Sequence, residues 1–188
     1  MLVFLPPSEE LLPALSAYRR VCLASGDELD GSAGLGNFPS LSDWLARVRL
    51  LNTPDAERRG WFRTTVFLAI RTPGECSLAA KEAASPDFLP FVAGIGSVRF
   101  PTGGEELTAG HIGYHVRPDA RRRGYGSAVL DHAVSLCRQN GVRDPAVCVL
   151  ADNLPSLRTA LSCGFVREAD GILPTGEPFV RLRKYDVS

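Results

Sequence analysis

The sequence predicts a single mixed α/β fold in which helices flank one central sheet. Two amphipathic helical segments precede runs of β-branched and aromatic residues. The most regular helical pattern is then followed by the continuous apolar run 146–151, which is typical of a strand buried on both faces in a parallel pair. The 188 residues fit one domain, at about 100–200 residues per domain. We therefore predict one domain over residues 1–188, without an internal repeat or a long linker.

The N-terminal segment has the spacing of two helices joined by a loop. Apolar residues recur at helical intervals after Ser8, which is a favourable N-cap. Residues 25–37 are rich in Gly, Ser, Asp and Asn and indicate a loop. Ser40 and Asp43 form a capping-box-like start to the second helix. The apolar faces of these two helices contain Leu11, Leu15, Tyr18 and Cys22 in the first and Leu41, Trp44, Leu45 and Val48 in the second.

The pattern then changes to that of strands. Strands are predicted at 64–70, 91–100 and 110–116, with a long loop over 72–90 and a turn at Gly103-Gly104. A helix over 126–140 ends at Asn140-Gly141, a common helix stop. The predicted C-terminal elements are a strand at 146–151, a short helix near 155–162 and closing strands at 165–168 and 179–185.

Composition excludes several function classes. The 21 Lys and Arg residues balance 21 Asp and Glu residues, whereas a nucleic-acid-binding protein normally has a basic excess. The five cysteines are widely spaced, which fits neither a zinc site nor a disulfide framework, so we expect no metal. The apolar N-terminal run is too short for a signal peptide or a membrane span. We therefore expect a cytoplasmic protein that binds neither nucleic acid nor membrane.

The segment from His115 to Ser127 is the most informative part of the chain. In it a strand ends, a basic loop follows, and a helix begins. The first turn of a helix has unpaired N–H groups and a positive dipole end, so it favours an anion. Gly124 and Gly126 allow the backbone to approach a phosphate closely. Four arginines in seven residues add positive charge: Arg117, Arg121, Arg122 and Arg123.

Two other phosphate-binding motifs fit this segment less well. A Rossmann site requires a third glycine, where this chain has Val129, and a loop that follows its strand directly. Asp152 imitates the acidic residue of that site, but too little chain remains for a second nucleotide-binding unit. A Walker loop is absent because the chain has no Gly-Lys-Ser/Thr.

These motifs together resemble the GNAT superfamily of N-acetyltransferases, over roughly residues 90–186. The stretch from Val116-x-Pro118 to Arg121-x-x-Gly124-x-Gly126 is similar to the family's pyrophosphate loop. Asn153 followed by Gly164-Phe165 is similar to its second motif, and the strand 111–116 to the one that leads into the loop. The resemblance implies the GNAT fold: a mixed, mostly antiparallel twisted sheet with a parallel strand–helix–strand cofactor unit and flanking helices.

The resemblance also implies acetyl-CoA as cosubstrate, bound by residues 90–186, while helices over 8–52 cover the acceptor side. By carry-over, Val116 and His115 meet the pantetheine arm, Asn153 lies near the pantetheine or its thioester end, and Ser156 is a further cofactor-binding candidate. The pyrophosphate would meet Arg121, Arg122, Arg123, Gly124, Tyr125, Gly126 and Ser127. Dimers are common in this family, which leaves a homodimer open.

The implied reaction is acetyl transfer to a primary amine by direct attack in a ternary complex. The family's usual strand glutamate is replaced by His111, a candidate base that titrates near neutral pH; a histidine satisfied by a local hydrogen bond is the structural alternative. His115 is the second candidate. The position of the family's tyrosine general acid is Ala160, which leaves open a non-catalytic acyl-CoA-binding module.

The acidic residues of the loop between the first two helices have two interpretations. Asp27, Glu28 and Asp30 could attract a cationic amine, or they could belong to a plain solvated loop.

Overall fold

The structure, a computed structural model, describes residues 1–72, 89–101, 107 and 109–186. The described helices are α1 (Leu12–Ala24), α2 (Leu41–Leu51), α3 (Pro54–Arg58), α4 (Tyr125–Gln139) and α5 (Leu154–Ser162). The strands are β1 (Leu2–Leu5), β2 (Arg63–Arg71), β3 (Phe91–Phe100), β4 (Ile112–Val116), β5 (Ala146–Leu150), β6 (Val166–Ile172) and β7 (Pro178–Arg183).

All seven strands form one sheet in the order β1-β2-β3-β4-β5-β7-β6. Every neighbouring pair is antiparallel except β4 and β5, which are parallel. This confirms the predicted mixed, mostly antiparallel sheet with a parallel strand–helix–strand unit, since α4 connects β4 to β5.

Strand alternation divides the interior into two cores, one on each face of the sheet. On β2, Phe67 and Ala69 face the core built around α4 and α5. Val66, Leu68 and Ile70 face the opposite core, which contains the buried sides of α1 and α2. The two N-terminal helices therefore cover one face of the sheet, and the helices of the parallel unit cover the other.

Several boundaries differ from the predictions. β1 was not predicted: it is four residues long and forms only by pairing with β2, from Leu2 opposite Arg71 to Leu5 opposite Leu68. The first helix opens with a 3-10 turn, and the Ser8 hydroxyl bonds Glu10 instead of capping a backbone N–H. Ser40 does cap α2 as predicted, by accepting the N–H of Asp43. Most of the predicted loop 72–90 and the Gly103-Gly104 turn lie outside the described residues.

Candidate functional site

The parallel strands β4 and β5 pair at a single register position, Ile112 opposite Val147. Beyond it, residues Gly113–Val116 of β4 keep their antiparallel partners on β3 but pair with no β5 residue among the described strands. The β5-facing edge of β4 therefore has unpaired backbone groups, as an exposed strand edge does. Such an edge can accept an extended amide-bearing ligand as an added strand.

The predicted anion-binding loop lies at the end of this edge. After a 3-10 turn over Pro118–Ala120, the backbone takes positive φ angles at Arg122 (59°) and at Gly124 (77°). Gly124 is the N-cap of α4, and within the described part of the chain no side-chain cap bonds that helix end. A Cβ at Gly124 would meet nothing within 4 Å, so the space in front of the helix is open. The uncapped N–H groups and the helix dipole favour an anion there.

Gly126 lies where the start of α4 meets α5 and β4. A Cβ at this position would lie 3.5 Å from a methyl carbon of Thr159 on α5 and 3.8 Å from one of Val116 on β4. The start of α4 thus packs closely against both neighbours. Arg122 and Arg123 are exposed beside it, whereas the Arg117 guanidinium is paired with Asp119.

Arg121 turns back toward β4 instead of projecting from the loop. Its Nε donates to the carbonyl of Val116 at 3.1 Å, and its Nη2 donates to the carboxylate of Asp27 at 2.5 Å. Asp27 belongs to the loop between α1 and α2. The guanidinium therefore links the predicted pyrophosphate loop to the loop on the opposite face of the sheet.

His115 lies at the centre of the same polar cluster and is 8% exposed. Its Nδ1 lies 2.6 Å from the hydroxyl of Tyr18, and its Nε2 lies 3.2 Å from Asp27. Burial lowers the pKa of His115, and the negative charge of Asp27 opposes that effect. In the neutral ring, Nε2–H donates to Asp27 and Nδ1 accepts from Tyr18. Both ring nitrogens are thus occupied by protein groups.

His111 is also buried and lies just before β4. Its backbone N–H donates to the carbonyl of Ala146 at 2.7 Å, and its ring Nδ1 accepts the N–H of Ala146 at 3.1 Å. Because Nδ1 is the acceptor, the neutral ring carries its proton on Nε2. His111 therefore joins the beginnings of β4 and β5, immediately before the strands separate.

Helix α5 contributes the two other predicted residues. Asn153 caps the helix, since its side-chain oxygen accepts the N–H of Ser156 at 3.2 Å. The Ser156 hydroxyl lies 3.0 Å from that of Tyr114, which reaches from β4 to α5. Sequence reasoning did not assign Tyr114 to the site, although strand alternation places it on the face opposite His111 and His115. Ala160 is fully buried in the core.

A cavity of about 600 Å³ lies on the α1–α2 face of the sheet. The loop residues Asp27, Glu28 and Asp30 line it on one side, and Ser97 and Arg99 of β3 line it on the sheet side. The loop is pressed onto β4 at Gly31, where an added Cβ would lie 2.1 Å from the backbone nitrogen of Tyr114. The predicted acidic loop therefore forms one wall of a cavity that lies over β2 and β3.

The described residues contain neither a cluster of metal-ligating side chains nor a helix able to span a membrane. No group of three or more His, Cys, Asp or Glu side chains within residues 1–72, 89–101 and 109–186 could hold a metal ion. Over the same ranges, the helices lack the length and apolarity needed to cross a membrane.

Several solved structures of acetyltransferases superpose on this chain. An enzyme from Salmonella typhimurium that modifies the N-terminal serine of ribosomal protein L7/L12 superposes with a TM-score of 0.64 at 15% identity, covering 98% of this chain and 95% of that one. The microcin C7 self-immunity acetyltransferase, solved with acetyl-CoA and AMP, gives 0.63 at 14% identity, covering 98% and 92%. The ribosomal-protein-S5-alanine acetyltransferase from Vibrio fischeri gives 0.63 at 12% identity, covering 100% and 93%.

At these identities the structures show a shared fold, and no curated protein matches the sequence significantly. The family is assigned by a match to a sequence model of that family. The model of the acetyltransferase (GNAT) family matches residues 40–165, about two thirds of the chain, including the loop, α4 and α5. The chain therefore belongs to the GNAT family of acetyltransferases, and it is an acyltransferase.

Proposed function

We propose that this protein transfers an acetyl group from acetyl-CoA to a primary amine, by direct attack of the amine within a ternary complex. The observation that carries the proposal is the separation of β4 from β5 in front of the uncapped start of α4. It supplies the strand edge and the helix end that a pantetheine diphosphate requires, side by side. The similar microcin C7 self-immunity enzyme was solved with acetyl-CoA, which supports the choice of cosubstrate.

The diphosphate would be held by the backbone of residues 121–127. The positive φ angles at Arg122 and Gly124 turn the chain ahead of the first turn of α4, whose uncapped N–H groups would meet the phosphate oxygens. The exposed guanidinium groups of Arg122 and Arg123 add positive charge. The edge of β4 that ends at Val116 would pair with the pantetheine amides, and the Val116 carbonyl would exchange its present bond to Arg121 for one to the ligand. Asn153 and Ser156 lie across the gap on α5.

Acetyl-CoA supplies a thioester carbonyl that the amine nitrogen attacks, with CoA as the leaving group. We propose His111 as the group that takes the amine proton. Its Nδ1 accepts the N–H of Ala146, so proton uptake at this atom displaces that bond. His115 is a positioning residue in this proposal, because Tyr18 and Asp27 occupy its two nitrogens and fix the end of β4.

Two substitutions of His111 distinguish a role in proton transfer from a role in anchoring β4 to β5. The variant His111→Gln can accept the Ala146 N–H through its amide oxygen but cannot take up a proton; His111→Ala can do neither. A catalytic base predicts that both variants lose about 100-fold or more in kcat and lose the acidic limb of the pH–rate profile. An active Gln variant beside a weak Ala variant would assign His111 to anchoring β4 on β5. Thiol release with acetyl-CoA and an amine panel is the assay.

A further inference from the structure

The cavity over β2 and β3 has an uneven charge distribution that bears on the acceptor. Its loop side has three carboxylates, of which Asp27 is bonded to Arg121 and His115, while Glu28 and Asp30 are exposed. Its sheet side has the guanidinium of Arg99. A ligand in this cavity therefore meets negative charge at the loop and positive charge at the sheet.

Arg99 has no carboxylate partner among the described residues. Its Nε donates to the carbonyl of Gly110 at 3.2 Å and its Nη2 to that of Ala109 at 3.1 Å, which leaves further N–H groups of the guanidinium. Burial lowers the pKa of Arg99 because the surroundings disfavour its charge. Other partly buried arginines of this sheet are paired: Arg181 and Arg183 both bond Glu168. An anionic group of a ligand would supply a counter-charge that the described residues do not give Arg99.

Arg99 also lies next to the proposed site of transfer. Its backbone N–H donates to the carbonyl of His111 at 2.8 Å, so the two residues are neighbours across β3 and the beginning of β4. Side chains at such paired positions share one face of a sheet. A small acceptor whose anion is held by Arg99 would therefore lie on the same face of the sheet as His111, which does not itself line the cavity.

Resting on the proposed function, we propose that the acceptor is a free amino acid, whose carboxylate binds Arg99 and whose amino group is acetylated. The two opposite charges of such a molecule match the two walls of the cavity. The volume of about 600 Å³ lies in the usual range for a small-molecule site. This assigns Arg99 as the residue that selects carboxylate-bearing amines.

The test compares acceptors that differ only at the carboxylate. Each natural amino acid is assayed for thiol release and acetylated product beside its α-carboxamide and its decarboxylated amine. The proposal predicts that at least one acid is preferred about tenfold or more over both analogues. Because the amino group of a carboxamide is less basic and more of it is neutral at pH 7.5, this preference opposes intrinsic reactivity.

Variants of Arg99 assign the preference to this residue. Arg99→Gln is expected to raise KM for the preferred acid about 10–100-fold, with little effect on the carboxamide, and Arg99→Lys to recover part of the loss. Arg71→Gln, on the neighbouring strand β2, is the matched control. Calorimetry with acetyl-CoA accompanies each assay. Two results would overturn this inference alone: normal acetyl-CoA binding with no amino acid preferred, or an Arg99→Gln variant whose activity falls equally with the acid and with its carboxamide. If the wild type does not bind acetyl-CoA, the proposed function is overturned as well.

Discussion

The carboxylate of Asp27 and the guanidinium of Arg121 meet at 2.5 Å, although 94 residues separate them in the chain. Asp27 lies in the loop between α1 and α2, and Arg121 in the loop that precedes α4. The same carboxylate lies 3.2 Å from Nε2 of His115. The loop between α1 and α2 and the loop proposed to bind the diphosphate are therefore joined through one carboxylate at the end of β4.

The first prediction concerns the electrostatic effect of that carboxylate. Replacement Asp27→Asn removes a negative charge that raises the pKa of His115, while burial and the positive charge of Arg121 continue to lower it. The pKa of His115 should therefore fall further below 6.5, as measured by an NMR titration of the ring. Glu28→Gln, in the same loop, serves as the control and should leave the value unchanged. A higher His115 pKa in the Asn variant would contradict the assignment.

The second prediction concerns the contact between this loop and β4. Gly31 has a φ of +70°, and an added Cβ would collide with the backbone of Gly113 and Tyr114. Gly31→Ala should therefore displace the loop and lower the free energy of unfolding by about 3 kcal/mol or more. Gly34→Ala is the matched control, because its φ is +82° but its nearest contact is the Phe38 ring at 3.6 Å. It should cost only about 1 kcal/mol for the backbone conformation.

Urea unfolding of both variants measures the difference. Equal losses for Gly31→Ala and Gly34→Ala would show that the backbone conformation alone accounts for the effect, and that the loop is not pressed onto β4 as described.

These contacts also show where sequence reasoning succeeds and where it stops. Local pattern was sufficient for β3, predicted and found at 91–100, and for α4, which differs by one residue at each end. The parallel pairing of β5 followed from its continuous apolar run, because a strand covered on both faces has no polar side. The start of α4 was predicted as an anion site from two glycines and a preceding strand, and it is uncapped as that prediction requires.

Long-range contacts could not be predicted from one sequence. Nothing local indicates that Asp27 meets Arg121, or that Tyr114 reaches Ser156 across the gap. His132 of α4 is a further example: its ring stacks on that of Phe4 with centroids 4.1 Å apart and meets the Phe67 ring edge-on at 4.7 Å. Since β1 itself forms only by pairing with β2, its contact with His132 had no sequence signal.

The third prediction is a loss of stability in mild acid. Burial lowers the pKa of both His115 and His132 below 6.5, so the folded state takes up these protons less readily than the unfolded chain. Their contribution to stability is complete above pH 6.5 and is lost as the pH falls toward the lowered folded values. We expect the free energy of unfolding to be lower at pH 5.5 than at pH 7.5.

The variant His132→Phe keeps an aromatic ring against Phe4 and cannot be protonated. Its urea midpoint should change less between pH 7.5 and 5.5 than that of the wild type. An identical pH dependence in the two proteins would show that His132 does not contribute to the acid effect.

The fourth prediction concerns the bond between β4 and α5. Tyr114→Phe removes the hydroxyl that lies 3.0 Å from Ser156 and leaves the rest of the ring in place. Loss of one partly buried hydrogen bond should reduce the free energy of unfolding by about 1 kcal/mol. Tyr185→Phe, at a half-exposed position near the C-terminus, should have almost no effect. Thermal unfolding measures both variants. Equal losses of stability would show that the Tyr114 hydroxyl does not stabilise the packing of α5 against β4.

The most direct test of the central claim is calorimetric binding of acetyl-CoA to two variants at Gly124. Aspartate and asparagine both tolerate the left-handed conformation at this helix start and both can cap it, but only aspartate adds a negative charge. If the diphosphate binds at the start of α4, the wild type should bind acetyl-CoA, and Gly124→Asp should weaken that binding at least about tenfold more than Gly124→Asn. Equal affinities in the two variants, or no binding to the wild type at millimolar concentration, would contradict the account.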